Sequence, residues 1–246
     1  MVAPQTRFLP CLAAIALAAC GGSGSSSGGT IDGASPAVIW RGTDPANGLA
    51  VVALIDAAGE AEFLRTDNAL LSGEVSTAQD NSVSGAGQAY DTNKFPDGTT
   101  AGSWTLQGTL TERQSLSLTV SVVTAAGTVI TQTLDLTFDP AYDQPSSLAS
   151  LTGAYAPVPN GTPYLFGPNG TFSLSDLICE ANGQFSIIDP GHNIYRVSAT
   201  GECDHGGTTT SNGLATLDTS VSPAQLLVGW AGDGSGDAEF WVSRNP

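Results

Sequence analysis

The chain has two histidines, His192 and His205, as candidates for acid–base catalysis. A hydrolytic triad needs a histidine beside a nucleophile and an acid. His192 follows Asp189-Pro190-Gly191, and His205 lies in Asp204-His205-Gly206-Gly207; both stretches are typical of turns. Neither histidine is paired by its spacing with a defined serine. We therefore predict no catalytic residue and a protein that is not an enzyme.

Acidic residues on one predicted hairpin provide a second candidate site. Asp56, Glu60 and Glu62 could supply paired carboxylates for the hydrolysis of a sugar bond. Acidic residues on a hairpin more often form a solvated face, and we expect that role here.

A third candidate is a calcium loop beginning at Asp233-Gly234-Ser235-Gly236-Asp237. Such a loop needs Gly at its sixth position and Glu at its twelfth. These positions hold Ala238 and Arg244. We expect a hairpin tip instead, and we predict no metal and no cofactor.

The amino-terminal residues have the pattern of a secretory signal. Arg7 provides a positive charge, and residues 8–19 form an uncharged, mostly apolar run of twelve residues. A helix needs about 20 residues to cross a bilayer, so this run fits a signal peptide over residues 1–19.

The signal ends in Leu17-Ala18-Ala19-Cys20, which resembles the lipobox of bacterial lipoproteins. The resemblance implies cleavage before Cys20, a diacylglyceryl group on its sulfur and an acylated amino terminus. It also implies a lipid-anchored protein of the cell envelope, sorted to the outer membrane because Gly21 follows the cysteine. The alternative is an ordinary secretory cut after Ala18.

Two cysteines, Cys179 and Cys203, remain in the mature chain besides the lipid site. An even pair in an exported protein predicts a disulfide.

Composition limits the partners. Residues 20–35 are rich in Gly and Ser and form a flexible tether. Removal of the signal leaves six basic residues against 23 acidic ones, a net charge of −17. A chain this acidic is repelled by phosphate backbones, so we exclude nucleic acid. Only the lipid on Cys20 would hold the protein to a membrane.

The mature region predicts an all-β fold. Apolar residues alternate with Ser and Thr, as in Ser115–Thr124, and turn signals such as Pro96-Asp97-Gly98 separate the runs. Similar residues recur 110 or 111 positions apart: Gly59 matches Gly170, and Gly102 matches Gly213. We predict two tandem homologous antiparallel domains, at 36–140 and 150–246, joined by a linker at 141–149. Each has about eight strands in a small barrel or a barrel-like sandwich.

The stretch from Phe138 to Tyr155 and the strand Asn193–Val197 resemble uncharacterised two-domain β-rich lipoproteins of Gram-negative bacteria. This resemblance supports the domain plan and adds no catalytic residue.

Three functions follow as hypotheses. The first is a non-catalytic binding or adaptor module of the envelope that recognises another envelope protein or a small molecule, its ligand-binding residues unknown. The second is a lipocalin-like carrier of a small apolar ligand, which requires an open barrel interior. The third is an enzyme acting on cell-wall or polysaccharide substrates.

Overall fold

The computed structural model describes residues 34–157, 163–175, 179–203, 207–232 and 235–243. The predicted signal peptide, Cys20 and all but the end of the tether lie outside the described residues.

The described residues form sixteen strands, all paired antiparallel. The first eight are β1 (Ile39–Thr43), β2 (Ala50–Ile55), β3 (Glu60–Arg65), β4 (Leu70–Thr77), β5 (Ser82–Tyr90), β6 (Ala101–Thr111), β7 (Ser115–Thr124) and β8 (Val129–Phe138). The second eight are β9 (Gly153–Pro157), β10 (Tyr164–Phe166), β11 (Thr171–Ser175), β12 (Cys179–Ile187), β13 (Tyr195–Cys203), β14 (Gly207–Asp218), β15 (Gln225–Gly232) and β16 (Ser235–Ser243). The all-β prediction is confirmed.

Strands β1–β8 pair in chain order, and β1 also pairs with β8, so they close into a barrel that we call the first ring. Side chains alternate across its wall. In β7, Leu116, Leu118 and Val120 are buried in the ring, whereas Ser117 and Thr119 are exposed. This period of two matches the sequence pattern because successive residues of a strand point to opposite faces.

Strands β9–β16 form a second curled sheet whose ends meet through β9, which pairs with β10 and β16; we call it the second ring. The sequence left a barrel and a sandwich open, and the pairing favours a barrel. Its described interior is filled by aromatic side chains. Tyr164 stacks on Trp241 with ring centroids 4.4 Å apart, and Phe172 lies between Phe166 and Phe185 at 5.3 Å from each.

The two rings repeat one another in detail. Gly59, in the β2–β3 turn, and Gly170, in the β10–β11 turn, both have positive φ, at 89° and 81°. Their carbonyls accept the amides of Val75 and Phe185, each at 2.8 Å. Glycine adopts this left-handed conformation without steric cost. The turns match at the predicted offset of about 110 residues.

Two short 3-10 helices, Pro140–Asp143 and Leu148–Leu151, connect the rings. The Asp139 carboxylate caps the first by accepting the Ala141 amide at 2.9 Å. Within the described ranges, no helix has the length and apolar character needed to cross a bilayer.

The rings lie side by side, with β2–β5 of the first against β14–β16 of the second. A Cβ atom placed on Gly229 would lie 3.0 Å from the Cβ of Glu62 and 3.1 and 3.3 Å from the methyl carbons of Leu70 and Leu64. A larger residue there would require these three side chains to shift by a few tenths of an ångström. Ion pairs border the contact: Arg196 reaches Asp56 at 2.7 Å and Glu60 at 2.5 Å. At another point, Arg41 reaches Asp218 at 2.8 Å.

Inside the first ring, Gly73 and Gly87 face each other across β4 and β5 and make room for the Trp104 indole. The indole N–H donates to the Ser72 carbonyl at 3.1 Å. A Cβ on Gly87 would lie 2.1 Å from that carbonyl oxygen and 2.8 Å from the indole nitrogen.

We expect Gly87→Ala to lower the free energy of unfolding by about 1–3 kcal/mol, because the new methyl group forces both the backbone and the indole to move. Urea denaturation followed by tryptophan fluorescence measures this loss. Gly201→Ala is the matched control, since its Cβ would meet nothing closer than 3.4 Å. Equal stability of the two variants would contradict the role of the glycine pair.

Candidate ligand cavity

The first ring encloses a cavity of about 400 Å³ at the end formed by its β1–β2, β3–β4, β5–β6 and β7–β8 connections. Pockets for small molecules in proteins usually have volumes of about 300–1,000 Å³. The chain enters β1 at the other end of the ring, where Trp40 and Phe138 pack edge to face with centroids 6.5 Å apart.

The wall of the cavity is mainly apolar. Its lining includes Val51, Phe63, Leu71, Ile130 and Leu134. The strand register explains why these residues point inward. Phe63 lies opposite Leu71, as expected for residues on the same face of neighbouring strands. Gln132 adds one amide to the lining from β8.

Arg65, at the end of β3, connects three of the loops around the cavity. Its guanidinium forms a two-bond contact with Asp67, at 2.7 and 2.9 Å. It also reaches Asp44 at 3.4 Å and Asp91 at 3.3 Å. Asp44 and Asp91 are 1% and 6% exposed, so Arg65 supplies the counter-charge that two buried carboxylates require.

The β5–β6 loop extends over the cavity and is fixed by Asp97. Phe95 and Pro96 line the cavity from this loop, and Phe95 is partly buried against the core. Hydrogen bonds from Thr124 and Thr99 hold the pKa of Asp97 well below its usual range. Asp97 thereby joins the β5–β6 loop to the end of β7.

Charged groups also lie inside the second ring. Glu239 accepts the indole N–H of Trp241, and burial raises its pKa to about 7. Burial likewise raises the pKa of Asp237 to about 6. Register pairs these residues with Val228 and Trp230, on the inward face of the sheet.

The structure places His192 in a turn, as the sequence predicts. Its amide donates to the Asp189 carbonyl at 3.1 Å, and its ring stacks on Tyr142 with centroids 4.2 Å apart. Its Nδ1 lies 3.1 Å from the Asp189 carboxylate. The nearby Ser146 hydroxyl donates to the main-chain carbonyl of Asp189, not to the imidazole. His205 lies outside the described residues.

The prediction that Asp56, Glu60 and Glu62 form a solvated face is wrong for Asp56 and Glu62. Asp56 is 3% exposed and Glu62 is 1% exposed, because the second ring covers this side of the first. Asp56 and Glu60 share the guanidinium of Arg196, whereas Glu62 lies apart from that pair of contacts.

The two cysteines of the predicted disulfide lie at the ends of β12 and β13. Their register sets Cys179 directly opposite Cys203 on adjacent antiparallel strands. Directly opposed Cα atoms in such a pair are about 4.5–5.5 Å apart, within the range that a disulfide spans. Their side chains lie outside the described residues, and the disulfide stays a prediction.

The stretch that begins at Asp233 lies between β15 and β16. Gly232 at the end of β15 pairs with Ser235 at the start of β16, and residues 233 and 234 lie outside the described residues.

No described protein family matches the sequence, and no curated protein is significantly similar to it. Among solved structures, the chain is similar to a Bacteroides fragilis crystal structure described as "a putative outer membrane protein". The two are 13% identical over 84% of this chain and 95% of that chain, with a TM-score of 0.26.

We expect Arg65→Met to lower the free energy of unfolding by about 3 kcal/mol, because it leaves Asp44 and Asp91 buried without a counter-charge. Urea denaturation measures the change. Arg113→Met is the control: Arg113 pairs with Asp143 at the surface and lies over the Phe138 ring, and its loss should cost about 1 kcal/mol or less. A loss for Arg65→Met no larger than that of the control would contradict this role.

Proposed function

We propose that the protein is a lipid-anchored, non-enzymatic binding protein of the cell envelope that holds a small, uncharged, mainly apolar molecule in its first ring. The cavity of about 400 Å³ in that ring carries the proposal. The two earlier hypotheses, a binding module and a carrier, then describe one activity of one barrel.

The distribution of side chains supports a binding role for the first ring. The strand residues at its cavity are mainly aliphatic chains together with the Phe63 ring and the Gln132 amide, Phe95 joins them from the β5–β6 loop, and they leave space between them. In the second ring, Tyr164, Phe166, Phe172, Phe185 and Trp241 occupy the corresponding interior and contact one another. Among the described residues, aromatic side chains fill the second ring, whereas the first ring has room for a guest molecule.

The charges at the rim disfavour an anionic ligand. Asp44, Asp67 and Asp91 face Arg65 and Lys94 around the opening, which leaves one net negative charge. The three aspartates already neutralise Arg65. An anionic ligand would meet this rim and a mature chain of net charge −17, so electrostatic attraction would not draw it in.

We expect Ile130→Trp to weaken binding of the neutral fluorescent probe N-phenyl-1-naphthylamine by at least about tenfold, because the indole fills the cavity. Fluorescence titration of the mature protein measures the dissociation constant.

Thr131→Trp is the matched control for this substitution. Thr131 is the next residue of β8, is exposed, and points away from the cavity. Its variant should bind the probe like the wild type. Equal binding by both variants would place the probe elsewhere and overturn the proposed site.

The anchor is proposed from the sequence Leu17-Ala18-Ala19-Cys20 and the Gly/Ser-rich segment after it. Two or more acyl chains hold a protein stably at a membrane, whereas one holds it only marginally. The described chain begins at the end of the first ring that is opposite the cavity, so such an anchor would leave the cavity accessible.

We expect Cys20→Ala to move the protein from the membrane fraction to the soluble fraction of its host, because the acceptor of the lipid is gone. Cys11→Ala, which changes a cysteine within the signal, should leave the fractionation unchanged. Mass spectrometry of the wild-type protein should find an acylated amino terminus at Cys20. An unmodified chain beginning at Ala19 would contradict the anchor without affecting the cavity.

A further inference from the structure

A groove of about 430 Å³ runs between the two rings, away from the cavity described above. Three carboxylates of the first ring line it, those of Glu60, Glu62 and Glu74, together with the Ser72 hydroxyl. The second ring contributes Asn212 and Ala231. Register places Glu60 opposite Glu74 and Glu62 opposite Ser72, so the four polar side chains share the outer face of β3 and β4.

Glu62 is the unusual member of this groove. It is 1% exposed, and its Oε1 accepts the Ser72 hydroxyl at 3.0 Å. Its Oε2 is buried and has no hydrogen-bond partner among the described residues. A buried carboxyl oxygen without a partner is costly, so natural proteins seldom keep one without a role. Burial raises the pKa of Glu62 well above its usual value, which favours the protonated form in the free protein.

The groups around Glu62 are acidic or neutral. Glu60 on its own strand repels a negative charge on it, and Glu74 lies on the same sheet face, on the neighbouring strand β4. The phenol of Tyr90 faces it from β5, with its pKa raised by burial and by Glu62. From the second ring, β15 presents Gly229 and β14 presents Asn212, neither of which is charged. The nearby cation, Arg196 on β13, is already paired with Asp56 and Glu60.

We propose that this groove binds the primary ammonium group of an organic amine, with Glu62, Glu74 and Ser72 accepting its N–H bonds. An ammonium group carries three donors and no acceptor, which matches the carboxylate and hydroxyl oxygens that β3 and β4 present; the Asn212 side chain on the other side of the groove adds an amide. Ca²⁺ requires six to eight oxygen ligands, and Mg²⁺ requires near-octahedral geometry. Within the described ranges, no three His, Cys, Asp or Glu side chains are grouped so that they could hold one metal ion.

Binding is coupled to the release of a proton. Burial favours the protonated form of Glu62 in the free protein, and a bound ammonium ion favours its carboxylate form, so the proton released on binding passes to the solvent. Since the bound state holds fewer protons than the free state, the affinity for the amine rises with pH until Glu62 is ionised in the free protein as well. The site is independent of the cavity in the first ring, so either proposal can fail alone.

Isothermal titration calorimetry of the mature protein with spermidine tests the site. We expect saturable binding that Glu62→Gln weakens at least about tenfold, because the amide cannot become negative. Titration at about pH 7 in two buffers of different ionisation enthalpy should show proton release in the wild type and none in Glu62→Gln.

Two further variants distinguish binding in the groove from non-specific attraction of the amine to the negatively charged protein. Glu74→Gln changes an exposed groove residue that does not affect the buried contact, and it should weaken binding several-fold. Glu112→Gln changes an exposed carboxylate in the β6–β7 turn and should leave the affinity unchanged. Equal affinity in all variants, absence of saturable binding, or displacement of spermidine by Ca²⁺ at equal concentration would each overturn the proposal.

Discussion

In β2 and β3 both faces of the sheet are covered. Alternate side chains, such as Phe63, enter the first ring, while Glu62 and Leu64 lie against the second ring. An antiparallel strand with one wet face alternates apolar and polar residues, whereas β2 is apolar throughout and the four inner residues of β3, Glu62 among them, are all buried because neither face meets water. The second ring therefore cannot be removed without exposing a hydrophobic wall of the first. The cavity, the groove and the ion pairs of Arg196 all depend on this shared wall.

Much of the fold could be predicted from the sequence because both rings are made of local hairpins. The alternation in β7 and β8 and the turn at Pro96-Asp97-Gly98 indicate the strands to within one or two residues, since period and turn chemistry are encoded locally. The offset of about 110 residues between matching positions of the two rings could also be predicted, because Gly59 and Gly170 both occupy turns that require positive φ. Ring closure, which separates a barrel from a sandwich, depends on pairing between β1 and β8, and no local signal records it.

The candidate sites could not be predicted in the same way. Asp56 and Glu62 belong to an exposed hairpin when the first ring is considered alone, and only the second ring buries them. The role of Arg65 cannot be predicted from the sequence, because two of its aspartate partners are distant along the chain. Asp44 lies 21 residues before Arg65 and Asp91 lies 26 residues after it. A signal is present in the sequence, however: Arg65 ends a strand in a chain with few cations, and aspartates occupy the neighbouring turns. The cavity is space left between side chains, so it depends on how the whole ring packs.

The two rings share an order of strands but differ in the burial and the type of their side chains. Leu54 in β2 and Leu165 in β10 are equivalent positions; the first is buried against the partner ring, and the second is 61% exposed. Inside, the core of the first ring is mainly aliphatic with Trp40, Phe63 and Trp104 among its members, whereas the described core of the second ring is richer in aromatic residues. Among the described residues, the second ring is filled by side chains, while the first has an unfilled interior. The difference arises from side-chain volume and not from topology.

An even number of antiparallel strands brings the beginning of β1 and the end of β8 to the same end of the first ring. Every connection at the other end is then a simple hairpin loop that carries neither the tether nor the joint to the second ring. Those four loops can change in length and composition without moving either covalent attachment. The surface at this end of the first ring could therefore be altered by loop replacement alone, while the framework that holds the loops stays the same.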